Sequence, residues 1–526
     1  MALRLRFTLC VTAASMLLLS ACGLPPASHP TPDSQAIAPD ISARTHLGQA
    51  HAALRAKAQA SATQSGIYAL YDPQEAFAAR SLLARAAQQT LDVQYYIWRN
   101  DKTGLLLLHE LLKAADRGVR VRLLIDDGGT SGLDDQLLAL SLHPNAQVRL
   151  FNPFALRGWL KPAGYVTEFK RANRRMHNKS LSADGQASIV GGRNVGNEYF
   201  GATDGVLFAD LDVLTIGPVV QSIEQDFDRY WNNVAAYPVD QAVRQAPQLT
   251  LDALRSSGAT LEQSPQAQSY RHALENTPLV QHLLQAQLPM EWAVAHLVSD
   301  PPEKIQAQAE HKALIGQQMQ RAIGIPKQSL DLVSPYFVPT QAGVDAFAQL
   351  RSQGLRIRIL TNALEATDVA IVHAGYAKYR KQLLQAGIEL YEMRGQAPEY
   401  AGDDEKLKLN FTQFGSSGTS LHAKTFAVDG QRSFVGSFNF DPRSMLLNTE
   451  MGLLIESSTL AKQISESFDS QIPSRAFRVS LDDEGHLRWT SGVGQPPPQY
   501  TTEPQTRWYQ RWTIWFLGLL PIEWLL

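Results

Sequence analysis

Two rhythms of hydrophobic and polar positions alternate along this chain. In Leu91-Asp92-Val93-Gln94-Tyr95-Tyr96-Ile97 apolar residues fall at every second place, which predicts a strand. Val119, Val121, Leu123 and Ile125 alternate in the same way with Arg120 and Arg122, and the stretch from Leu105 to Arg117 between the two strands is helical. Before them, Asp72-Pro73 opens an Ala- and Leu-rich helix that runs to about Gln89. Strand, helix, strand in this order predicts an α/β architecture built on a largely parallel sheet flanked by helices.

The pattern then returns. Ser329-Leu330-Asp331-Leu332 echoes Thr90-Leu91-Asp92-Val93, and the run Gly354 to Leu360 echoes Gly118 to Leu124. Such self-similarity predicts two duplicated domains, residues 67–250 and 321–490. Residues 251–320 between them, rich in Gln and Ala, read as a helical connector without chemistry of its own.

Both ends depart from this rhythm. Arg4 and Arg6 precede an apolar run from Phe7 to Leu19 that closes on Leu19-Ser20-Ala21-Cys22. The run is short for a membrane span, and residues 1–22 read as a signal peptide whose small residues before Cys22 form a lipobox, with Cys22 as the lipidation site. Residues 23–66 begin with Pro25, Pro26, Pro30, Pro32 and Pro39 and read as a tether. At the other end, residues 491–526 combine Pro496-Pro497-Pro498 with an apolar tail carrying Trp508, Trp512 and Trp515 beside Arg507 and Arg511. Aromatic and basic residues so mixed predict a segment at a membrane interface.

Composition narrows the function classes. With 526 residues, 44% of them hydrophobic, the chain can bury one large core or two ordinary ones. A formal net charge of -2 gives no bulk attraction to nucleic acid, so any affinity for phosphate must be local. The only cysteines, Cys10 and Cys22, lie in the leader, which removes a disulfide framework and a cysteine metal site.

The chemistry sits in a motif present twice with one spacing. His177-Asn178-Lys179 is followed by Asp184 and then Gly191-Gly192-Arg193-Asn194; His422-Ala423-Lys424 is followed by Asp429 and then Gly436-Ser437-Phe438-Asn439. Alternation along a strand puts His177 with Lys179, and His422 with Lys424, on one face. A neutral imidazole can attack phosphorus, and a second imidazole can protonate the leaving alkoxide and later deprotonate an acceptor hydroxyl. The lysines and the amides of Asn194 and Asn439 suit the non-bridging phosphate oxygens, with no metal or cofactor required. Asp184 and Asp429 count with the catalytic motif, although each precedes a glycine and equally suits a hairpin turn. Each histidine needs a carboxylate to orient its far nitrogen, and Asp212 and Glu450, which open similar apolar strands, are the candidates. The basic run Lys170-Arg171-Ala172-Asn173-Arg174-Arg175 before His177 suits an anionic headgroup as well as a solvated loop.

The duplicated His-x-Lys motif resembles the phospholipase D superfamily. The continuation Gly436-Ser437-Phe438-Asn439-Phe440-Asp441-Pro442-Arg443-Ser444 with Asn448-Thr449-Glu450 is similar to bacterial cardiolipin synthases, and Leu91 to Trp98, Arg149 to Phe154, Val372 to Tyr376 and Pro521 to Leu526 resemble their C-type branch. The resemblance implies two phospholipase-D-type domains with the active site at their interface. It also implies transfer of a phosphatidyl group between phosphatidylglycerol and phosphatidylethanolamine, or a second phosphatidylglycerol, with His177 as nucleophile and His422 as acid/base. The lipobox and tether depart from that branch and imply a lipoprotein of the bacterial envelope facing the periplasm, on either the inner or the outer membrane. A hydrolase using water, a nuclease of the same superfamily and a catalytically silent membrane scaffold are the competing readings. The two complete motifs weigh against the scaffold, and the acidic balance against the nuclease.

Overall fold

The computed structural model describes residues 33–201, 207–395 and 419–526. The stretch expected to be a signal peptide with a lipobox at Cys22 lies outside them.

In the first half, Asp72 caps helix α1 (Pro73–Ala86) by accepting the Glu75 N–H at 2.8 Å, with Pro73 pre-set for the first turn. Strand β1 (Gln64–Leu70) precedes it, and β2 (Thr90–Ile97), β3 (Arg120–Gly129) and β4 (Ala146–Phe151) follow, with helix α2 (Lys102–Asp116) crossing between β2 and β3. Strands β5 (Ser180–Ala183), β6 (Ala187–Gly191) and β7 (Asp212–Ile216) carry the first motif. The second half repeats the set: β8 (Glu291–Ser299), β9 (Ser329–Val333), β10 (Arg356–Asn362), β11 (Glu389–Met393), β12 (Thr425–Val428), β13 (Arg432–Gly436) and β14 (Met451–Glu456). Leu91, Val93, Tyr95, Val121, Leu123 and Ile125 share one core cluster, while the intervening Asp92, Gln94 and Arg122 are buried as well, so both faces of these strands are covered.

The strands pair in the order β4-β3-β2-β5-β6-β7-β1-β8-β14-β13-β12-β9-β10-β11, within one sheet of 18 strands. This order reads alike from either end, so the halves are related by a pseudo-twofold that passes between β1 and β8. A buried ion pair marks the duplication. Arg122 grips Asp92 at 2.6 and 2.8 Å, and Arg358 grips Asp331 at 2.5 and 2.8 Å.

Three expectations change. The sheet is mixed rather than largely parallel, because only β2-β3-β4 and β9-β10-β11 run parallel while hairpins bring the remaining strands of that order back antiparallel. The stretch 251–320 is not purely a helical connector. After helices at Leu251–Gln263, Gln268–Asn276 and Leu279–Leu284 it supplies β8, which holds in the second half the place that β1 holds in the first. Nor is 33–66 a free tether. The Ser34 N–H donates to Asn232, the Ala36 N–H to Asp228, and helix His46–Ala58 buries Leu47, Ala50 and Leu54, which share one helical face.

Near the C-terminus, helix α3 (Trp508–Gly518) buries Ile514 against Leu364 and Ala374, and Leu526 packs on Val338 and Val372. Trp508, Trp512, Trp515, Phe516 and Leu519 stay exposed. No helix among the described residues is long and apolar enough to cross a membrane.

Candidate active site

The two motifs are brought together by short backbone pairings between the halves. The His177 N–H donates to Thr449 O at 2.9 Å, and the His422 N–H to Ala209 O at 2.8 Å, beside the parallel pair Leu207–Ala209 and Thr419–Leu421. Each histidine therefore rests on the segment that carries the other half's carboxylate.

Glu450 Oε2 lies 2.7 Å from His177 Nδ1, and Asp210 Oδ2 lies 2.5 Å from His422 Nδ1. With Nδ1–H donating to the carboxylate, each imidazole carries its lone pair on Nε2. Tyr96 packs edge-on to His177 at 4.9 Å between ring centres, and Tyr199 edge-on to His422 at 5.2 Å. Lys179 Nζ donates to His177 O at 2.6 Å; Lys424 Nζ donates to His422 O and stands 3.0 Å from His422 Nδ1. His177, His422, Asn194, Asn439, Tyr199 and Leu526 face one cavity of about 600 Å³.

The pairs differ in their charge balance. Burial lowers His177 well below its ordinary value, reinforced by Lys179 and Lys424, and burial with Lys424 lowers His422. Glu450 is pushed up to about 7 by burial, despite Lys179 and the hydroxyls of Ser437 (2.5 Å) and Ser444 (2.8 Å). Asp210 goes the other way. Burial would raise it, but His422, Lys424 and Arg193 together hold it down at about 2. Burial also brings Lys179 well below its usual range and Lys424 down to about 8.

The geometry corrects part of the sequence reading. Asp212 touches neither histidine; it is buried between Arg80 (2.7 Å) and Arg193 (3.2 Å). Strand register explains the slip. Gly191 stands opposite Asp212 and Gly436 opposite Gly452, so the counterpart of Glu450 is Asp210, two residues earlier. Asp184 and Asp429 lie away from the cavity. At φ 54° and 55° they sit in the left-handed region of their hairpin turns. Their carboxylates accept the backbone N–H groups of Gln88, Gln89 and Thr90, and of Lys327, Gln328 and Ser329, which tie each hairpin to the start of β2 or β9. Of the amides, Asn194 accepts the Ile97 N–H at 3.1 Å and donates to the Tyr199 hydroxyl at 3.0 Å, while Asn439 Oδ1 has no hydrogen-bond partner among the described residues.

Sequence reasoning also missed the support under Glu450. Asp300 accepts the Glu450 N–H at 3.0 Å and the Lys304 ammonium at 2.8 Å, and Lys304 reaches Ser444 O. Of this set only Ser444 falls in the stretch after the second motif that the sequence singled out.

Two half-sites of identical design, closing on one cavity from the two halves of one sheet, define the phospholipase D class of active site. Residues 81–231 and 319–472 match the family described as cardiolipin synthase, PLD-like domain, and the chain belongs to that family. It is 46% identical over 463 residues to cardiolipin synthase C of Escherichia coli, covering 88% of this chain and 96% of that protein. It is 25% identical over 390 residues to a cardiolipin synthase of Staphylococcus aureus, covering 73% of this chain and 62% of the relative. In fold it resembles phosphatidylserine synthase of Haemophilus influenzae, with a TM-score of 0.53 at 15% identity over 81% of this chain and 92% of that one.

Proposed function

We propose that this protein is a phosphatidyltransferase that makes cardiolipin from phosphatidylglycerol and either phosphatidylethanolamine or a second phosphatidylglycerol, through a phosphohistidine. The observation that carries the mechanism is the pair of histidines facing one cavity, each held through Nδ1 by a carboxylate from the other half.

His177 is the nucleophile, its imidazole kept neutral by burial beside Lys179 and Lys424. Its Nε2 lone pair forms a bond to phosphorus, the bond from phosphorus to the headgroup oxygen breaks, and the departing alkoxide takes a proton from His422. His422 suits that role because the ionised Asp210 stabilises its protonated form. The acceptor hydroxyl then gives its proton to His422 and its oxygen attacks phosphorus. The N–P bond breaks, and both histidines return to their starting states. Lys179, Lys424, Asn194 and Asn439 hold the non-bridging oxygens. Asp210 and Glu450 position the imidazoles, and Asp184 and Asp429 serve the fold. The exposed aromatic face of α3 lies against the lipid surface, and lipidation at Cys22 holds the body on the periplasmic side of the envelope.

The test is expression in a bacterium deleted for its own cardiolipin synthases, with lipids measured by mass spectrometry beside a His177→Ala control. Cardiolipin is expected only with His177 intact. Phosphatidic acid accumulating without cardiolipin would assign a hydrolase instead.

A further inference from the structure

A second cavity, about 570 Å³, adjoins the catalytic one. Asn173 lines both, and Arg443, which lines the catalytic cavity, donates to Asn173 O at 2.9 Å, so the two spaces share a wall. The basic run before His177 is divided between different tasks here. Arg175 is drawn into the core by Asp126 at 3.2 Å. Arg171 is neutralised by Glu168 and bonded to Asn152 Oδ1. Lys170 and Arg174 remain, both lining the second cavity, and among the described residues no carboxylate lies within 4.0 Å of either. Arg174 is half-buried and meets only main-chain oxygens, those of Lys304 and Leu446, both at 3.1 Å. A guanidinium partly removed from water without a counter-ion is costly unless an anion completes it. Two aromatic side chains also line this second cavity, Phe169 and Trp524, which meet edge-on at 6.3 Å.

We infer that this second cavity is the acceptor subsite: Arg174 and Lys170 hold the phosphodiester of the second phospholipid, the phosphate that does not react, while its headgroup hydroxyl enters the catalytic cavity past Asn173. The inference rests on the transferase reading. A lipid acceptor brings its own phosphate within a headgroup's length of the phosphate on His177, and two anions so close need separate cations. Water as acceptor brings no such charge. The aromatic pair of Phe169 and Trp524 suits the acceptor's glycerol and upper acyl carbons.

The test is a competition for one intermediate. Vesicles of labelled phosphatidylglycerol are supplied with ethanol, and cardiolipin, phosphatidylethanol and phosphatidic acid are measured together. Product ratios do not depend on how much enzyme is folded. Arg174→Ala is expected to lower the ratio of cardiolipin to phosphatidylethanol by about tenfold, the worth of one charge-assisted hydrogen bond, with total donor consumption unchanged. Lys170→Ala should act in the same direction, and Arg174→Lys should retain most of the ratio. An unchanged ratio in Arg174→Ala, or a parallel loss of both products, would overturn the subsite, as would a site that serves free phosphate, since it leaves the ratio alone. Wild-type protein that yields phosphatidylethanol and phosphatidic acid but no cardiolipin would instead overturn the transferase reading.

Discussion

Glu450 and His177 stand 273 positions apart in the chain and 2.7 Å apart in the structure. Asp210 and His422 make the reciprocal contact across 212 positions. Neither half holds a complete catalytic dyad, because each histidine borrows its carboxylate from the opposite half.

Removing the borrowed charge should therefore cripple chemistry while sparing the fold. Glu450→Gln and Asp210→Asn are each expected to lower kcat by about a hundredfold or more, the scale seen when an orienting carboxylate is replaced by its amide. Thermal melting measured beside kcat should move little. Asp212→Asn should do the reverse, because it leaves Arg80 and Arg193 buried without their partner, costing about 3–5 kcal/mol of stability.

Asp184 offers a cleaner separation of fold from chemistry. Asp184→Ala deprives three backbone N–H groups at the start of β2 of their acceptor, and each orphaned donor costs about 1–3 kcal/mol. A large drop in denaturation midpoint with kcat per folded molecule unchanged is the expected outcome. Loss of kcat without loss of stability would return Asp184 to the catalytic set.

Activity should follow a bell in pH. His177 must be neutral to attack, and burial depresses it below 6.5, so activity falls only as pH drops through that lowered value. On the alkaline side His422 must still hold the proton it gives the leaving alkoxide, and burial with Lys424 lowers it below 6.5 as well, so activity falls as pH rises through that value; loss of the Lys424 charge near 8 lowers it further. Initial-rate profiles of kcat/KM should place both limbs of the bell below pH 6.5, with a further fall near 8. An acid limb above 6.5 would contradict a buried nucleophile.

The exposed face of α3 should govern membrane binding rather than the chemical step. Trp512 and Trp515, 56% and 62% exposed, are free to enter a lipid surface. Replacing both by Ser is expected to weaken sedimentation with anionic vesicles by about tenfold or more, from lost apolar burial. Turnover of detergent-dispersed lipid should be retained.

The motifs were legible because their spacing repeats, and the duplication because Asp92 with Arg122 and Asp331 with Arg358 recur inside matching apolar strands. What escaped detection depends on register and on contacts far apart in sequence. Asp210 and Asp212 are two carboxylates two residues apart, and only the pairing of Gly191 with Asp212 tells them apart. The parallel character of β2-β3-β4 was readable from the crossover helix, whereas the antiparallel returns depended on short strands such as Ser180–Ala183. β8 was hidden inside a Gln-rich stretch whose composition favoured helix, and Asp300 under Glu450 has no local signature at all.

The pseudo-twofold between β1 and β8 has a chemical corollary. In a symmetric dimer of identical halves, both histidines would face the same carboxylate and share one basicity, so neither would be set apart to attack or to carry protons. A single chain that encodes both halves permits divergence at matched positions: glutamate opposite aspartate at 450 and 210, and serine opposite glycine at 437 and 192. Covalent continuity thus lets the two half-sites of one cavity differ in the carboxylate that each histidine meets.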